Sequence, residues 1–237
     1  MRIRHIKGAE EMVAAHPLII NGPETHKGNW RQEVFGNDAP LYLEIGTGMG
    51  TFIRESAIKH PDIDYVGIEM NSTVLLKAMR RYEKKAEEEG VTPGGNLKFM
   101  RLDARLLEEC FGENEVDRIY LNFSDPWPKD KNANKRLTSP MFLSRYEKVL
   151  KPEGTIEFKT DNRGLFDYSV ETAGNEGWEI LALTYDLHDD PSMNEGNIET
   201  EYEAKFSAKG NRIGKMIIRA GRKNGSTQTE EKGTENA

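Results

Sequence analysis

A single cysteine, Cys110, stands among 237 residues, which excludes an intramolecular disulfide and suits a reducing compartment. Long apolar runs are also missing. The longest near the N-terminus, Met12 to Ile20, has nine residues and is broken by His16 and Pro17, whereas a membrane-spanning helix needs about 20. Glu10 and Glu11 fall where the apolar core of a secretory signal behind Arg2 and Arg4 would begin, so no such signal is expected and the chain is expected to be cytoplasmic. The five histidines are scattered, without i, i+4 or Cys-x-x-Cys spacing, and no metal site is expected. Net positive charge is lacking too: 33 basic against 40 acidic residues leave −7. That balance excludes a uniformly basic nucleic-acid binder and leaves only local basic patches to meet phosphates.

What the chain does have is alternation. Leu41–Ile45, Asp64–Ile68, Leu97–Leu102, Val116–Phe123 and Thr155–Lys159 read as strands. Helical patterns at 50–59, 72–89, 104–110, 139–150 and 165–174 separate or follow them, the second capped by Asn71 or Ser72 and ended by Gly90. Strand-helix alternation predicts an α/β fold, a Rossmann-like, mostly parallel sheet with helices on both faces. Trp178–Asp186 and Arg212–Ala220, separated by a long polar loop, predict an antiparallel pair at its edge. Residues 1–220 read as one domain, with 1–40 an extension carrying a basic arm (Arg2, Arg4, Lys7). Residues 221–237 hold no large apolar side chain and read as a disordered polar tail.

The first strand runs into Glu44-Ile-Gly46-Thr-Gly48-Met-Gly50, a glycine turn that opens a helix and lets the backbone approach a ligand closely. Such turns serve dinucleotides, flavins and methyl donors alike, so the acids around it carry the discrimination. Glu69 ends the second strand, 19 residues past Gly50, where a carboxylate can accept both hydroxyls of a ribose. Asp103 ends the third strand, within reach of an adenine amino group in such a fold. Glu44 lies in the turn itself, where it repels a pyrophosphate and attracts the ammonium and sulfonium of S-adenosylmethionine. The methyl donor is therefore favoured over a nicotinamide dinucleotide. At the fourth strand end, Asn122-Phe-Ser-Asp125-Pro-Trp127-Pro-Lys129 holds an acid and an aromatic in a proline-stiffened loop, suited to a planar base.

With these residues the chain resembles the bacterial tRNA (guanine-N7-)-methyltransferases, class I S-adenosylmethionine-dependent enzymes. The resemblance covers roughly residues 1–220. It rests on Met1–His5, Lys27-Gly-Asn-Trp30, Val34–Asp38, Glu44–Gly48, Gly67–Glu69, Tyr120–Lys129, Arg136–Thr138, Phe158–Gly164 and Asn197–Phe206. It departs from the family in a Gly/Pro insertion near 89–95 and in a loop with Asp130, Asn132, Ala133 and Asn134, where relatives tend to be basic. The resemblance implies that Glu44, Gly46, Glu69, Asp103 and Asp125 hold the methyl donor and that Asp125 is catalytic. It also implies that Lys129, Asp161 and the Thr200–Glu203 segment hold a guanine, at position 46 of the tRNA variable loop.

Guanine N7 has an in-plane lone pair and no proton, so positioning and electrostatics can replace a general base. With N7 toward the donor, the Watson–Crick edge is left for Asp161 or Glu203 to accept from. Lys129 can donate to O6 or to a phosphate, and Lys131, Lys135 and Arg136 are expected to contact RNA phosphates. The expected partner is tRNA, bound by a monomer without metal or membrane. An exocyclic-amine RNA methyltransferase and a catalytically silent RNA-binding module of the same fold are the alternatives.

Overall fold

The computed structural model describes residues 4–221. Among them, seven strands form one sheet: β1 (Leu41–Ile45), β2 (Asp64–Ile68), β3 (Leu97–Met100), β4 (Val116–Asn122), β5 (Leu150–Thr160), β6 (Trp178–Thr184) and β7 (Gly214–Ala220). Their spatial order is β3-β2-β1-β4-β5-β7-β6. The helices are α1 (Ala9–Ala14), α2 (Thr51–Lys59), α3 (Ser72–Glu88), α4 (Leu107–Cys110), α5 (Pro140–Val149), α6 (Arg163–Asn175), α7 (Pro191–Asn194) and α8 (Glu201–Ser207).

The inner strands read as apolar runs because both sheet faces are covered. On one face, α1 to α3 pack Val13, Ile53, Leu75, Met79 and Tyr82 onto Tyr65 and Phe99. On the other, α4 to α6 pack Leu107, Phe142, Tyr146 and Leu165 onto Leu43, Ile119 and Phe158. Local signals set the helix ends. Asn71 caps α3, its side-chain oxygen accepting from the Val74 N–H at 3.2 Å, and Gly90, at φ 67°, follows the helix. The chain winds outward from β1 in both directions, toward β2 and toward β4, so a crevice opens at the carboxyl ends of these two pairs. Glu44 lies there, in register with Gly67 and Tyr120.

One strand, β5, departs by more than two residues from the sequence expectation. β5 begins at Leu150, paired with Val116, rather than at Thr155. Pro152 and Gly154 look like turn residues, but a register shift between Val116 and Arg118 absorbs them. A Cβ on Gly154 would lie 2.9 Å from the Lys151 carbonyl and 3.1 Å from that of Asp117, which leaves room for glycine alone. The antiparallel pair is at the sheet's edge as expected. The reversed strand, β7, lies one place in, between β5 and β6 and antiparallel to both.

Residues 4–40 do not stand off from the sheet. Phe99 donates its N–H to the Leu18 carbonyl at 2.9 Å and accepts from Ile20 N–H at 2.8 Å, extending the sheet by one bridge beyond β3. Trp30 is fully buried, stacked on Phe111 at 4.7 Å, and donates its indole N–H to the Cys110 carbonyl. The buried carboxylate of Glu115 accepts from the backbone N–H groups of Gly28, Trp30 and Gly112 at 2.9, 2.8 and 2.7 Å. The Lys27–Trp30 motif is therefore tied to the fold through Trp30, which enters the core, while Lys27, Gly28 and Asn29 stay exposed. Arg2 and the polar tail from 222 onward lie outside the described residues.

Glu115→Ala should unmask these three donors, and each unsatisfied buried donor costs about 1–3 kcal/mol. Urea unfolding should show a loss of about 3 kcal/mol or more. A loss below about 1 kcal/mol would mean that Glu115 does not clamp the segment.

Candidate active site

The turn after β1 is built from three residues at positive φ, Gly46 at 79°, Gly48 at 55° and Gly50 at 72°. Gly50 is required by packing as well, since a Cβ there would sit 2.9 Å from Ala78 Cβ of α3. Gly46 faces open space, with nothing within 4 Å of where a Cβ would be. The turn is pinned to β2 by the N–H groups of Gly46 and Thr47, which both donate to the Ile68 carbonyl. Glu69 fixes it from the rim: one carboxylate oxygen accepts from Gly48 N–H at 3.2 Å, the other from Asn71 N–H at 2.8 Å.

Beneath the turn lies Glu44, 2% exposed. Its carboxylate accepts from the Thr47 hydroxyl and, at 2.8 Å, from the Asn122 amide. Burial pushes its pKa up to about 7, against those hydrogen bonds and the nearby Lys159 ammonium, which favour the ionised form. A cavity of about 390 Å³ opens above it, walled on one side by the glycine turn and on the other by α8 with Phe123. Thr51, on its lining, has a buried hydroxyl with no hydrogen-bond partner among the described residues.

Helix α8 lies where the sequence predicts a long polar loop. It starts on a capping box: Thr200 Oγ1 accepts from Glu203 N–H at 2.9 Å, and Glu203 reaches back to the Thr200 N–H. That Thr-x-x-Glu spacing is a legible helix start. Glu203 does more, because its carboxylate is fully buried and pairs at 2.7 Å with Lys159 of β5, itself 4% exposed. Lys159 also donates to Asn197 Oδ1 and the Ile198 carbonyl, and the Asn197 amide donates to the other oxygen of Glu203. Burial pulls the Lys159 ammonium below its ordinary range, opposed by the Glu203 carboxylate. Glu203, expected on the guanine, thus has both oxygens taken by the protein and holds α8 to the sheet. Tyr202 is the residue it presents, stacked on Phe206 at 4.1 Å and tilted against Phe123 at 5.1 Å. An ion pair of 2.6 Å between Arg81 of α3 and Glu201 closes the far end.

Asp125 is exposed and makes no hydrogen bond or ion pair with any described residue. Its loop is strained, with Phe123 at φ 51° and Trp127 at φ 40°, left-handed conformations that cost a non-glycine residue about 1–3 kcal/mol each. Arg136 holds it there. The guanidinium donates to the Pro126 and Trp127 carbonyls at 3.1 to 3.3 Å and lies on the Tyr168 ring at 4.2 Å, leaving the residue 9% exposed. Arg136, expected on RNA phosphates, is turned inward as a clamp on this loop. Lys135 covers one face of Trp127, its ammonium 4.7 Å from the ring centre. Lys129 and Lys131 project exposed, with no ion-pair partner among the described residues.

Two other expected residues lie at the margins. Asp103 lies three residues past the end of β3 and caps the next turn; Arg105 grips its carboxylate and holds it below the usual range. Asp161 follows β5 and accepts from the Asn211 amide at 3.0 Å. The structure brings Glu44, Gly46 and Thr200 to one cavity with Glu69 at the turn's rim. Asp103, Asp125 and Lys129 lie outside that cavity's lining. The turn and its buried acid can hold a cationic ligand, and the exposed acid can face a second molecule brought up beside it. Among the described residues, no group of three potential metal-ligating side chains occurs, and no helix is long and apolar enough to cross a membrane.

A family model described as a putative methyltransferase matches residues 38–216. The tRNA (guanine-N(7)-)-methyltransferase of Lachnoclostridium phytofermentans is 48% identical over 217 residues, covering 92% of this chain and 97% of that relative. That of Geobacillus sp. (strain WCH70) is 49% identical, covering 90% and 93%. Among solved structures, the 16S rRNA methyltransferase KamB superposes with a TM-score of 0.59 at 14% identity, over 80% of this chain and 92% of that one. An antibiotic-related methyltransferase does so with 0.57 at 20%, over the same shares. These two likenesses concern the fold alone.

Glu44 gives a pH signature. Its pKa rises from 4.5 to about 7 on folding, so the folded state binds the proton more tightly. Stability should be highest below the lower value, fall as pH rises between the two, and level off above. Urea unfolding of Glu44→Gln should lose that slope and be no less stable than the parent at pH 8. An unchanged slope would place the titration elsewhere.

Proposed function

Because the chain belongs to the tRNA (guanine-N7-)-methyltransferase family, we propose the following division of labour among its residues, with position 46 of the variable loop as the acceptor. The enzyme transfers the methyl group of S-adenosyl-L-methionine to N7 of a guanine in tRNA. The observation that carries the assignment of the donor site is the buried Glu44 under an open glycine turn. An acid there repels the pyrophosphate of a dinucleotide and attracts a ligand with ammonium and sulfonium charges. Gly46 leaves the approach open, the unpartnered Thr51 hydroxyl offers a donor, and Glu69 is placed for the ribose hydroxyls with lone pairs to spare. Asp103 is taken as the adenine contact, exchanging part of its bond with the exposed Arg105. The donor supplies an electrophilic methyl, and the guanine supplies a lone pair that needs no deprotonation.

The chain's own contribution is then alignment and charge. Asp125, held on a strained loop by Arg136, stands where positive charge develops on the purine. A fixed carboxylate there is favoured more in the transition state than in the ground state. Lys129 and Asp161 flank the acceptor, one to donate and one to accept along the guanine edges. Tyr202, supported by the Lys159–Glu203 pair through α8, forms the wall between acceptor and donor. Docking of an acidic protein on tRNA rests on Lys129, Lys131, Lys135 and the arm residues Arg4 and Lys7. We take one chain as the working unit, acting in the cytoplasm, since a single chain furnishes every group named here.

Incubation with S-adenosyl-L-methionine and an unmodified tRNA transcript, followed by nucleoside mass spectrometry and mapping, tests this reading. 7-Methylguanosine at position 46 is expected; a methyl on an exocyclic amine would overturn it. Asp125→Ala should lower kcat by about 10²–10³, as for one preorganised electrostatic group. Lys131→Ala and Lys135→Ala should each reduce the slope of log K for tRNA against log salt by about 0.7–0.9. Arg136→Ala should leave that slope alone and lower kcat, because the clamp, not a phosphate contact, is lost.

A further inference from the structure

A second cavity, of about 320 Å³, lies beyond Asp161 at the same sheet edge. Its floor is Phe166, which lies flat on Gly214, where a Cβ would sit 2.8 Å from the ring. Tyr185 stands edge-on to Phe166 at 5.1 Å and is 40% exposed. The Arg163 guanidinium lies 4.1 Å over the Tyr185 ring, and its side chain is 69% exposed, so the outer face of this two-layer stack is open to solvent. On the opposite side, the Asn211 amide and the Asp161 carboxylate are held together at 3.0 Å, presenting donor and acceptor groups side by side. Arg212, 80% exposed, stands at the mouth with only one guanidinium nitrogen engaged, by Asp186 at 3.2 Å.

A stacking platform of arginine on tyrosine, an amide–carboxylate pair to read an edge, and a spare guanidinium for a phosphate are the parts of a site for one unpaired nucleotide. The cavity is small for a larger ligand. It is not the acceptor guanine's own place, because it lies past Asp161, on the side away from the donor cavity. Asp161 is the link: its charge bears on Tyr202, which lines the donor cavity, and its carboxylate lines this one. A base extruded from an RNA loop toward the donor leaves its neighbour unstacked as well, and that neighbour is carried to this side.

We propose that this cavity binds a nucleotide adjoining the methylated guanine, its base stacked on Arg163 and its phosphate on Arg212. The proposal rests on the tRNA-methyltransferase reading and adds a site to it. Binding of tRNA, followed without turnover, tests it using the full chain, Tyr185→Ala, Arg212→Glu, and transcripts with an abasic residue 5′ or 3′ of the target guanine. Loss of one stacked base should weaken binding of the intact transcript to Tyr185→Ala by about 5- to 150-fold. One of the two abasic transcripts should bind the parent with a similar deficit, and that deficit should largely vanish in Tyr185→Ala. Arg212→Glu should weaken all transcripts and reduce the salt slope. Affinity for S-adenosyl-L-methionine should be unchanged in both variants, which reports that they are folded. Parental tRNA affinity in Arg212→Glu, or strictly additive losses from Tyr185→Ala and the abasic residue, would overturn the proposal. Failure of the parent to form 7-methylguanosine would instead overturn the functional reading, since the binding comparison does not depend on turnover.

Discussion

The arrangement at the sheet's carboxyl edge depends on one buried ion pair. Lys159 and Glu203 are both withdrawn from water and 2.7 Å apart, and removing one partner of such a pair leaves an uncompensated charge costing about 3–5 kcal/mol. The pair is satisfied on all sides by Asn197, the Ile198 carbonyl and the Thr200 N–H, so it fixes a whole segment rather than a single contact. That segment carries Tyr202 to the rim of the cavity above Glu44. The same ammonium also favours ionisation of Glu44 beneath the glycine turn. One buried cation thus bears on both walls of the cavity.

Around this anchor lie a strained loop and a buried acid, the two features that the proposed function draws on. Phe123 and Trp127 hold left-handed backbone in a loop tied down by Arg136 at two carbonyls and by the Phe123 N–H on the Lys159 carbonyl, and the loop carries an acid, Asp125, with no partner among the described residues. Glu44 is buried at a cost that grows with pH, and a bound cation offsets that cost. Neither feature helps the chain fold. Both fit the proposed charged ligand: Asp125 has no protein partner, and Glu44, though hydrogen-bonded by Thr47 and Asn122, forms no ion pair among the described residues.

Much of the fold was legible in the chain. The apolar runs Leu41–Ile45 and Asp64–Ile68, the Asn71 cap and the Gly90 stop are local signals, and they place the crevice and its acids without any knowledge of packing. Elements governed by long-range partners were not. Pro152 and Gly154 look like a turn until the bulge opposite β4 accommodates them. Thr200–Glu203 is a capping box in plain sight, but the polar residues before it hide a helix only seven residues long. Lys159 sits among Ile156, Phe158 and Thr160 without a local reason for a charge; its partner is 44 residues away. Arg136 belongs by sequence to a basic loop, and only the position of the Pro126 and Trp127 carbonyls turns it inward. Lys27–Trp30 was legible as a motif, but its partner, Glu115, was not.

The claim that the buried pair serves catalysis as well as folding is tested most directly by replacing both partners together. Lys159→Met with Glu203→Leu exchanges ions for apolar groups, a change that stability often tolerates when single removal does not. The double variant should unfold at nearly the parental urea midpoint yet methylate tRNA with kcat/KM lowered by about 10² or more, as expected for a misplaced wall of the site. A stable double variant that methylates tRNA at the parental rate would contradict it and reduce the pair to a fastening of the fold.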